Sequence, residues 1–279
     1  DVKQIDRFCR SQGLTRFMVL HAALALTLSR YGYSDDIVIG TPVANRQRKQ
    51  LEDIVGFFVN TLVLRVATNH ETVQEYLAHV KTTNIEALAN QDLPFQHLVE
   101  SLGIEPSEQH TPLFQIMLSV EESRHDKLAM GEATFSIMEN EAPGALCDLD
   151  FNVTYTDDTA SIDLVFDPTL FCTQRMAVML KHFARLAVDM ARDTEQALAQ
   201  IMMLEQAERD ELLSLAYGGL SQSLHALPLH KHFEQQAEKQ PTQIAVADDT
   251  GDITYQKLNC EANRVARLLL EQGVNKGDF

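Results

Sequence analysis

A short buried strand runs into a loop at Ile39-Gly40-Thr41-Pro42-Val43-Ala44-Asn45-Arg46. The segment Asp36-Ile37-Val38-Ile39-Gly40, with three apolar β-branched residues, predicts the strand, and Gly40 and Pro42 fix the way the chain leaves it. An asparagine and an arginine at such an exit, here Asn45 and Arg46, can orient a carboxylate or brace a neighbouring loop. Taken alone, an ordinary surface loop is the simpler interpretation.

Three more segments follow in order. The first, Val55-Gly56-Phe57-Phe58-Val59-Asn60-Thr61-Leu62, predicts a bend that enters a strand at about 61–66. Two adjacent aromatic residues in extended backbone cannot face one core, so either one lines a cleft or interface, or two hydrophobic layers are present. The second, Asn90-Gln91-Asp92-Leu93-Pro94-Phe95, predicts a helix start with Pro94 in its first turn. The third is Thr111-Pro112-Leu113-Phe114-Gln115.

Hydrophobic periodicity around these segments predicts a mixed α/β layer rather than a regular βαβ repeat. Thr15 is a predicted N-cap for a helix that ends near Tyr31. A second helix, about 72–89, is predicted to have one apolar side. Its members are Val73, Leu77, Val80, Ile85 and Leu88. Strands are predicted at 114–120, 133–138, 149–156 and 161–167, with a turn at 157–159, and a long helix at about 173–192.

A predicted linker separates two parts of the chain. Residues 217–223 are turn-forming, Pro228 closes the segment, and a helix, a strand and a helix are predicted after it. This last part has only about 50 residues, which bury too little apolar surface for a convincing complete domain. The predicted division is therefore 1–200, 201–228 and 229–279.

The composition excludes several classes of protein. The chain of 279 residues is 45% hydrophobic and 23% charged, which is typical of globular proteins. Its formal net charge of −17 argues against nucleic acid and anionic membrane surfaces as partners. No apolar run is long enough to span a membrane, and Asp1-Val2-Lys3-Gln4-Ile5 does not resemble a signal peptide. The four cysteines form no C-x-x-C pair, so reduced thiols in a cytoplasmic protein are expected.

Common catalytic signatures do not occur in the sequence. It contains no nucleophile elbow, phosphate-binding loop, dinucleotide fingerprint or zinc-binding H-E-x-x-H. His230 and His232 would point apart on a helix, so no metal site is predicted. Asp148 and Asp150 lie on one side of a predicted strand and could form a carboxylate pair. A solvated strand edge or a structural turn is the favoured interpretation of these two residues.

The four segments, in this order and spacing, resemble the C-terminal motifs of the condensation domain of nonribosomal peptide synthetases. Beyond the linker, Leu229-His230-Lys231-His232-Phe233-Glu234 and Ile253-Thr254-Tyr255-Gln256-Lys257-Leu258-Asn259 resemble the opening of an adenylation domain. The resemblance covers nearly the whole chain. It implies a chloramphenicol-acetyltransferase-like α/β subdomain at 1–200, an interdomain linker at 201–228 and a partial adenylation domain at 229–279.

The resemblance also implies a reaction and partners. In that family two similar halves form a V around a tunnel, and donor and acceptor carrier proteins deliver substrates on phosphopantetheine arms. The acceptor amine attacks the donor thioester, which forms an amide and frees the thiol. Expected partners are the N-terminal half, both carrier proteins and the downstream adenylation domain. No cofactor is expected to bind directly, since ATP and magnesium serve only the complete adenylation domain.

The family's catalytic motif, H-H-x-x-x-D-G, is absent because the sequence contains no His-His pair. The chain is therefore expected to be the C-terminal half of the domain, inactive alone and without a catalytic residue. Arg46 matches the family arginine that pairs with the aspartate of the motif across the halves, which implies that Asn45 and Arg46 support the active site. Asn60 and Gln91 match positions on the tunnel side.

Two departures from the family leave alternatives open. Asn90 stands where the family usually has histidine, and 111–115 lacks the usual arginine. An epimerization-type domain of the same fold and a noncatalytic docking scaffold for carrier proteins therefore remain as alternatives. A self-contained small-molecule acyltransferase is disfavoured, because no histidine in the sequence is followed by aspartate four residues later.

Overall fold

The computed structural model describes residues 2–105, 107, 110–122, 129–130, 133–134, 144–156, 159–216, 228–248 and 251–275. The chain divides into two units, Asp1–Glu205 and Gln206–Phe279. The first unit contains α1 (Val2–Gln12), α2 (Arg16–Gly32), β1 (Asp36–Val43), β2 (Asn60–Ala67), α3 (Val73–Ala89), α4 (Phe95–Ser101), β3 (Ile116–Glu122), β4 (Ala129–Met130), β5 (Ala133–Thr134), β6 (Leu149–Tyr155), β7 (Ala160–Phe166) and α5 (Thr173–Met190). This irregular order of helices and strands confirms the predicted mixed α/β class.

The second unit contains α6 (Gln206–Ala216), α7 (Leu229–Lys239), β8 (Ile244–Asp248), β9 (Gly251–Thr254) and α8 (Tyr255–Glu271). β8 and β9 form an antiparallel hairpin, and β9 is an addition to the predicted elements. The side chain of Thr254 accepts a hydrogen bond from the amide of Lys257 and so caps α8.

A five-stranded sheet organises the first unit, in the order β2-β1-β3-β6-β7. The central strands β1, β3 and β6 are parallel, and the edge strands β2 and β7 pair antiparallel to their neighbours. The register joins Gly40 to Met117, Met117 to Asp150, and Asp150 to Val165. Residues in register share a face, so these four lie on one side and their neighbours in sequence on the other.

The second side of the sheet carries the hydrophobic core. Ile39, Leu64, Leu118 and Phe151 are buried there, and helices α1, α2, α3 and α5 supply the remaining core residues. Phe151 meets Phe183 of α5 edge to face, with ring centroids 5.6 Å apart. Helices α1, α2, α3 and α5 therefore pack on one face of the sheet, while the opposite face carries polar side chains of β6.

Threonine caps fix the starts of two core helices. The Thr15 hydroxyl accepts from the amide of Met18 at 3.2 Å, which confirms the predicted cap of α2. Thr72 caps α3 in the same way, through the amide of Glu75 at 3.2 Å. Each cap pairs an amide that no helical carbonyl can reach.

The predicted apolar side of α3 is confirmed only in its first half. Ile85 and Leu88 are 51% and 44% exposed, so these two members of the predicted apolar side do not reach the core. The buried stripe ends at Asn84, whose amide lies 2.9 Å from Nδ1 of the buried His21. The last turn of the helix therefore extends beyond the core.

The segment after α5, here called the strap (residues 193–205), is fastened to the first unit. The two terminal nitrogens of Arg30 donate to the carbonyl oxygens of Ile201 at 2.8 Å and Leu198 at 3.1 Å. An antiparallel bridge joins Ala197 to Thr72. These contacts explain why the first unit extends to Glu205.

Three sequence predictions fall on residues outside the described ranges. They are the turn at 157–158, residues 135–138 of the predicted strand 133–138, and the linker residues 217–223. Thr156 and Thr159, on either side of the turn, are joined by a backbone hydrogen bond of 2.9 Å.

Candidate functional site

The predicted site residues gather at one end of the sheet. Asn45 and Arg46 follow β1, and Asn60 begins β2, opposite Val43 at the end of β1. The turn between α3 and α4, which contains Gln91, lies against the start of β2 because Asn60 bonds to it. The structure thus brings all four predicted residues to the end of the sheet at which β1 finishes and β2 begins.

Arg46 shapes the loop between β1 and β2. One terminal nitrogen donates to the carbonyl oxygens of Leu51 and Ile54, the latter at 2.9 Å. The other donates to the carbonyl oxygen of Gly56 at 3.3 Å. The guanidinium lies 4.3 Å from the ring centroid of Phe58. Its planar fork of donors suits it to gathering several carbonyls, which a lysine could not do equally well.

Asn45, directly before Arg46, has a left-handed backbone conformation that bends the chain at the start of this loop. Its φ of 50° lies in the left-handed region, which asparagine tolerates better than most residues. Beside it, Nε2 of the Gln47 side chain donates to Oδ1 of Asp92 at 2.9 Å, joining the loop to the turn between α3 and α4.

Asn60 fastens that same turn. Its Nδ2 donates to the carbonyl oxygens of Gln91 and Leu93, both at 2.8 Å, and its Oδ1 accepts from the amide of Phe95 at 3.1 Å. The last bond caps α4, because Pro94 at the N-cap makes no side-chain hydrogen bond. The side chain of Asn60 therefore joins the start of β2 to the turn before α4.

Gln91 and Asn90 turn back onto the end of α3. Nε2 of Gln91 donates to the carbonyl oxygen of Leu88 at 3.0 Å, and Nδ2 of Asn90 donates to that of Glu86 at 2.8 Å. Both bonds go to carbonyl oxygens in the last turn of α3, and the carbonyl of Leu88 also accepts from the backbone amide of Gln91 at 3.3 Å. The tunnel-side role of Gln91 stays a prediction.

Sequence reasoning named Asp150 but missed the polar cluster to which it belongs, on the face of the sheet opposite the core. The favoured interpretation of Asp150 as part of a solvated strand edge or a structural turn is wrong, because Asp150 is partly buried in β6, which lies between β3 and β7. Ser119 Oγ donates to Asn152 Oδ1 at 2.5 Å, across the pair β3 and β6. Asp150 lies on the same face, and its Oδ1 is shielded from solvent without a hydrogen-bond partner among the described residues. Burial raises the pKa of the Asp150 carboxyl, and a hydrogen bond with Asn152 opposes that rise.

The sequence signal that could have revealed this cluster is the alternation of apolar and polar residues along β6. Leu149, Phe151, Val153 and Tyr155 are buried, while the residues between them are polar and partly buried. A strand with one polar side of this kind has one face that is not packed into a core. The carboxyl and carboxamide groups on that face belong to the chemical types that form hydrogen bonds with amides and amines.

Gly40 belongs to the same face. A Cβ atom at this position would collide with the ring of Phe114, which packs directly over the backbone. Phe114 is buried and lies 5.7 Å from the ring of Phe95 in α4. The glycine therefore lets the segment that leads into β3 close over the sheet.

Metal and membrane sites do not emerge from the part of the chain that the structure describes. No group of three or more His, Cys, Asp or Glu side chains there could hold a metal ion. No described helix is both long and apolar enough to cross a bilayer. The four cysteines are unpaired.

Family models match both parts of the chain. Residues 1–213 match the condensation domain, and residues 233–279 match the AMP-binding enzyme family. Among curated proteins the chain is 33% identical to tyrocidine synthase 3 of Brevibacillus parabrevis over 275 residues, covering 97% of this chain and 4% of that protein. It is 35% identical to malpinin synthetase of Mortierella alpina over 286 residues, covering 98% of this chain and 4% of that protein. The chain thus spans only 4% of the length of each of these relatives.

Solved structures share the fold. A four-domain nonribosomal peptide synthetase bound to AMP and glycine superposes with a TM-score of 0.78 at 17% identity, covering 99% of this chain and 22% of that chain. The X-domain from teicoplanin biosynthesis gives a TM-score of 0.64 at 26% identity, covering 72% of this chain and 47% of that chain. The fold class predicted from the resemblance, chloramphenicol-acetyltransferase-like, is confirmed by these condensation-type neighbours. Given the match over residues 1–213 and the AMP-binding match that follows it, the chain belongs to the condensation-domain family of nonribosomal peptide synthetases.

Proposed function

We propose that the first unit is the C-terminal half of a condensation domain, and that it works with a second half that carries the H-H-x-x-x-D-G motif. The observation that carries the proposal is the coverage of the X-domain. About three quarters of this chain, 72%, accounts for 47% of that solved chain. The sequence here contains no His-His pair, so a histidine base would have to come from outside these residues.

The proposed reaction joins two substrates that carrier proteins present on phosphopantetheine arms. The acceptor amine attacks the carbonyl carbon of the donor thioester. A C–N bond forms, the C–S bond breaks, and the amine proton is transferred so that the donor arm leaves as a thiol. A histidine of the other half would act on that proton, as a base or by positioning the amine.

Two parts of this chain would contribute to that reaction. Asn45 and Arg46 would hold the loop at the end of β1, where the halves would meet. The polar cluster of Ser119, Asp150 and Asn152 would face the substrates, because it lies on the side of the sheet opposite the described core helices α1, α2, α3 and α5. Asn60 and Gln91 would keep the adjoining turn in place.

Residues 229–279 of the second unit are proposed to be the beginning of the adenylation domain that would supply the acceptor amino acid, and residues 201–228 the linker before it. ATP and magnesium would be used by the complete adenylation domain, and residues 229–279 would be its first part. Under this proposal the partners of the chain are the other half of the condensation domain, a donor and an acceptor carrier protein, and the remainder of the adenylation domain.

Reconstitution tests the proposal. The full chain is mixed with the histidine-bearing half, expressed separately from the same synthetase gene, and with loaded donor and acceptor carrier proteins, and amide product is measured by mass spectrometry. Product is expected only when both halves are present. Product from the chain alone, or none from the pair while the intact domain is active, would contradict the proposal.

A noncatalytic docking role is the second candidate. The observation that favours it is the match to a complex of the X-domain and OxyB from teicoplanin biosynthesis, with a TM-score of 0.63 at 25% identity. In that structure a domain of this fold is bound to another protein. Retention of a carrier or partner protein by the chain, without any contribution to amide formation in the reconstituted pair, would favour docking over catalysis.

A further inference from the structure

Asp150 places a carboxyl group within the sheet, on the face opposite the core. Its strand, β6, lies between β3 and β7, and the residues opposite Asp150 on those strands are the apolar Met117 and Val165. The Oδ1 atom of Asp150 is shielded from solvent and makes no hydrogen bond to a described residue. Carboxylates are rarely buried without a partner, because removing a charge from water is costly. Packing between two apolar neighbours therefore does not explain an acid at this position.

The sheet supplies no cation for this carboxyl. Strands β3, β6 and β7 contain no lysine or arginine, and the sequence has none from 132 to 173. The one basic residue in the five strands is Arg65 of β2, which forms an ion pair with Asp36 at 2.7 Å. Burial raises the pKa of the Asp150 carboxyl, because its charged form loses water without gaining a positive neighbour. A cation from outside the strands would therefore be bound favourably beside Asp150.

Two neighbours hold the carboxyl in a fixed position. Asn152 lies two residues along the same face of β6 and forms a hydrogen bond with Asp150. Oδ1 of Asn152 accepts from Ser119 at 2.5 Å, so its amide nitrogen is the group that can donate to the carboxyl. This chain of bonds leaves Oδ1 of Asp150 as an oriented acceptor. An acceptor that is fixed before binding loses less conformational entropy when a ligand arrives.

We propose that Asp150 binds the amine of the acceptor substrate, with its Oδ1 accepting a hydrogen bond from the substrate's ammonium group while Asn152 and Ser119 hold the carboxylate. The inference rests on the proposed function and names the residue that would recognise the charge of the acceptor. An α-amino group has a pKa of about 7.7–8.0, so most acceptor amines carry a positive charge at pH 7. The histidine of the other half would then act on the proton that the amine loses before it attacks.

This role predicts a preference for an amine over an alcohol. A hydrogen bond between an ammonium group and a carboxylate is about twice as strong as one between neutral groups. A hydroxyl group in place of the amine has no charge and one N–H or O–H donor instead of three. The expected ligand is therefore a positively charged aminoacyl group, and its α-hydroxyacyl counterpart should gain little from Asp150.

The test measures amide formation by the reconstituted pair at pH 7, with the acceptor carrier protein loaded with its amino acid. Asp150→Asn keeps the shape of the side chain and removes its charge, and should lower kcat/KM for this carrier about tenfold, mainly through KM. The same carrier loaded with the α-hydroxy acid of the same side chain is used as an inhibitor. Its inhibition constant should not change, whereas general damage to the site would weaken both carriers.

Asp163→Asn is the matched control. Asp163 lies opposite Asn152 on the same face of the sheet, but it is exposed on the edge strand β7. The variant removes the same charge and should keep the wild-type kcat/KM. Urea unfolding of the full chain is the second measurement. The urea midpoint of Asp150→Asn should equal or exceed that of wild type, because the substitution removes a partly buried charge that has no partner.

The outcomes separate this inference from the proposed function. If the wild-type pair forms amide and Asp150→Asn keeps the wild-type kcat/KM, the inference is wrong and the proposed function stands. A lower urea midpoint would show that the chain itself binds the carboxylate, which would also contradict the inference. Equal weakening of the hydroxy-acid carrier, or equal loss of rate in Asp163→Asn, would do the same. If the wild-type pair forms no amide while the intact domain is active, both proposals are wrong.

Discussion

The side-chain nitrogen of Asn60 donates a hydrogen bond of 2.8 Å to the main-chain carbonyl oxygen of Gln91. The bond joins the first residue of β2 to the turn that follows α3. Two positions that the family resemblance assigns to the tunnel side are therefore joined to each other. Asn60 makes two further bonds in the same segment, so one side chain supplies three of the hydrogen bonds that join this segment to β2.

Asn60→Ala is expected to lower the free energy of unfolding by about 2–3 kcal/mol, because three hydrogen bonds are lost and α4 loses its cap. Asn60→Asp should be at least as destabilising at pH 7, since a carboxylate would face the carbonyl oxygens of Gln91 and Leu93. Urea unfolding followed by circular dichroism measures both. Gln91→Ala is the control and should cost less than about 0.5 kcal/mol, because its single bond is exposed.

Arg46→Lys is expected to reduce amide formation by the reconstituted pair about tenfold, at unchanged net charge. A lysine has one nitrogen and cannot reach three carbonyls while stacking on Phe58. The rate of product formation by mass spectrometry measures the effect. Arg48→Lys is the control, since Arg48 is exposed and lies two residues away. Equal loss of rate in both variants would show that the carbonyl contacts of Arg46 are not the cause.

Gly40→Ala is expected to destabilise the first unit by about 1–3 kcal/mol, because the new methyl group would displace the buried ring of Phe114. Gly32→Ala is the matched control. Nothing lies within 4 Å of a Cβ at Gly32, at the end of α2, so this variant should be neutral or slightly stabilising. Thermal unfolding compares them, and similar midpoints for the two variants would contradict the prediction.

The stability of the first unit is expected to fall in mild acid because of His21. Burial lowers the pKa of His21 to about 4, against an ordinary value of 6.5. Between these two pKa values the His21 ring is protonated in the unfolded chain and neutral in the folded chain. The free energy of unfolding is therefore highest above pH 6.5, where His21 is neutral in both states, and it falls as the pH is lowered from 6.5 towards 4. Burial also lowers the pKa of His79, which acts in the same direction.

Between pH 6.5 and pH 5, His21 should lower the free energy of unfolding by about 2 kcal/mol. The measurement is the free energy of unfolding at both pH values, for wild type and for His21→Gln. The variant has no titrating ring, so its pH dependence should be weaker by that amount. Identical pH dependence in the two proteins would rule out His21 as the cause.

Local interactions could be predicted from the sequence, and distant ones could not. The cap at Thr15 depends on residues three positions apart, and the α/β class depends on periodicity within each element. The partners of Asn60 lie 31 to 35 positions away, and they are backbone atoms that leave no mark in the residue types. The same is true of the carbonyls around Arg46. For this reason the resemblance could identify both residues but not their contacts.

The polar cluster illustrates a different limit. Alternation along β6 could have indicated a polar face, but Ser119 and Asn152 meet only because β3 and β6 pair in one particular register. Parallel pairing between distant strands is set by the whole sheet, and a single sequence does not reveal it. The exposure of Ile85 and Leu88 has a similar origin, since periodicity shows a side of the helix but not how far the core extends along it.

The strap has a practical consequence for anyone who exchanges modules between synthetases. Arg30 and the bridge at Ala197 hold residues 193–205 to the body that contains the sheet. A recombination joint placed inside the strap would combine one parent's Arg30 with strap side chains from another parent, so the buried side chains of Leu198 and Ile201 that position the two carbonyls would be replaced. Joints placed after Glu205 keep each parent's fastening intact, and chimeras built that way should fold more often than those cut a few residues earlier.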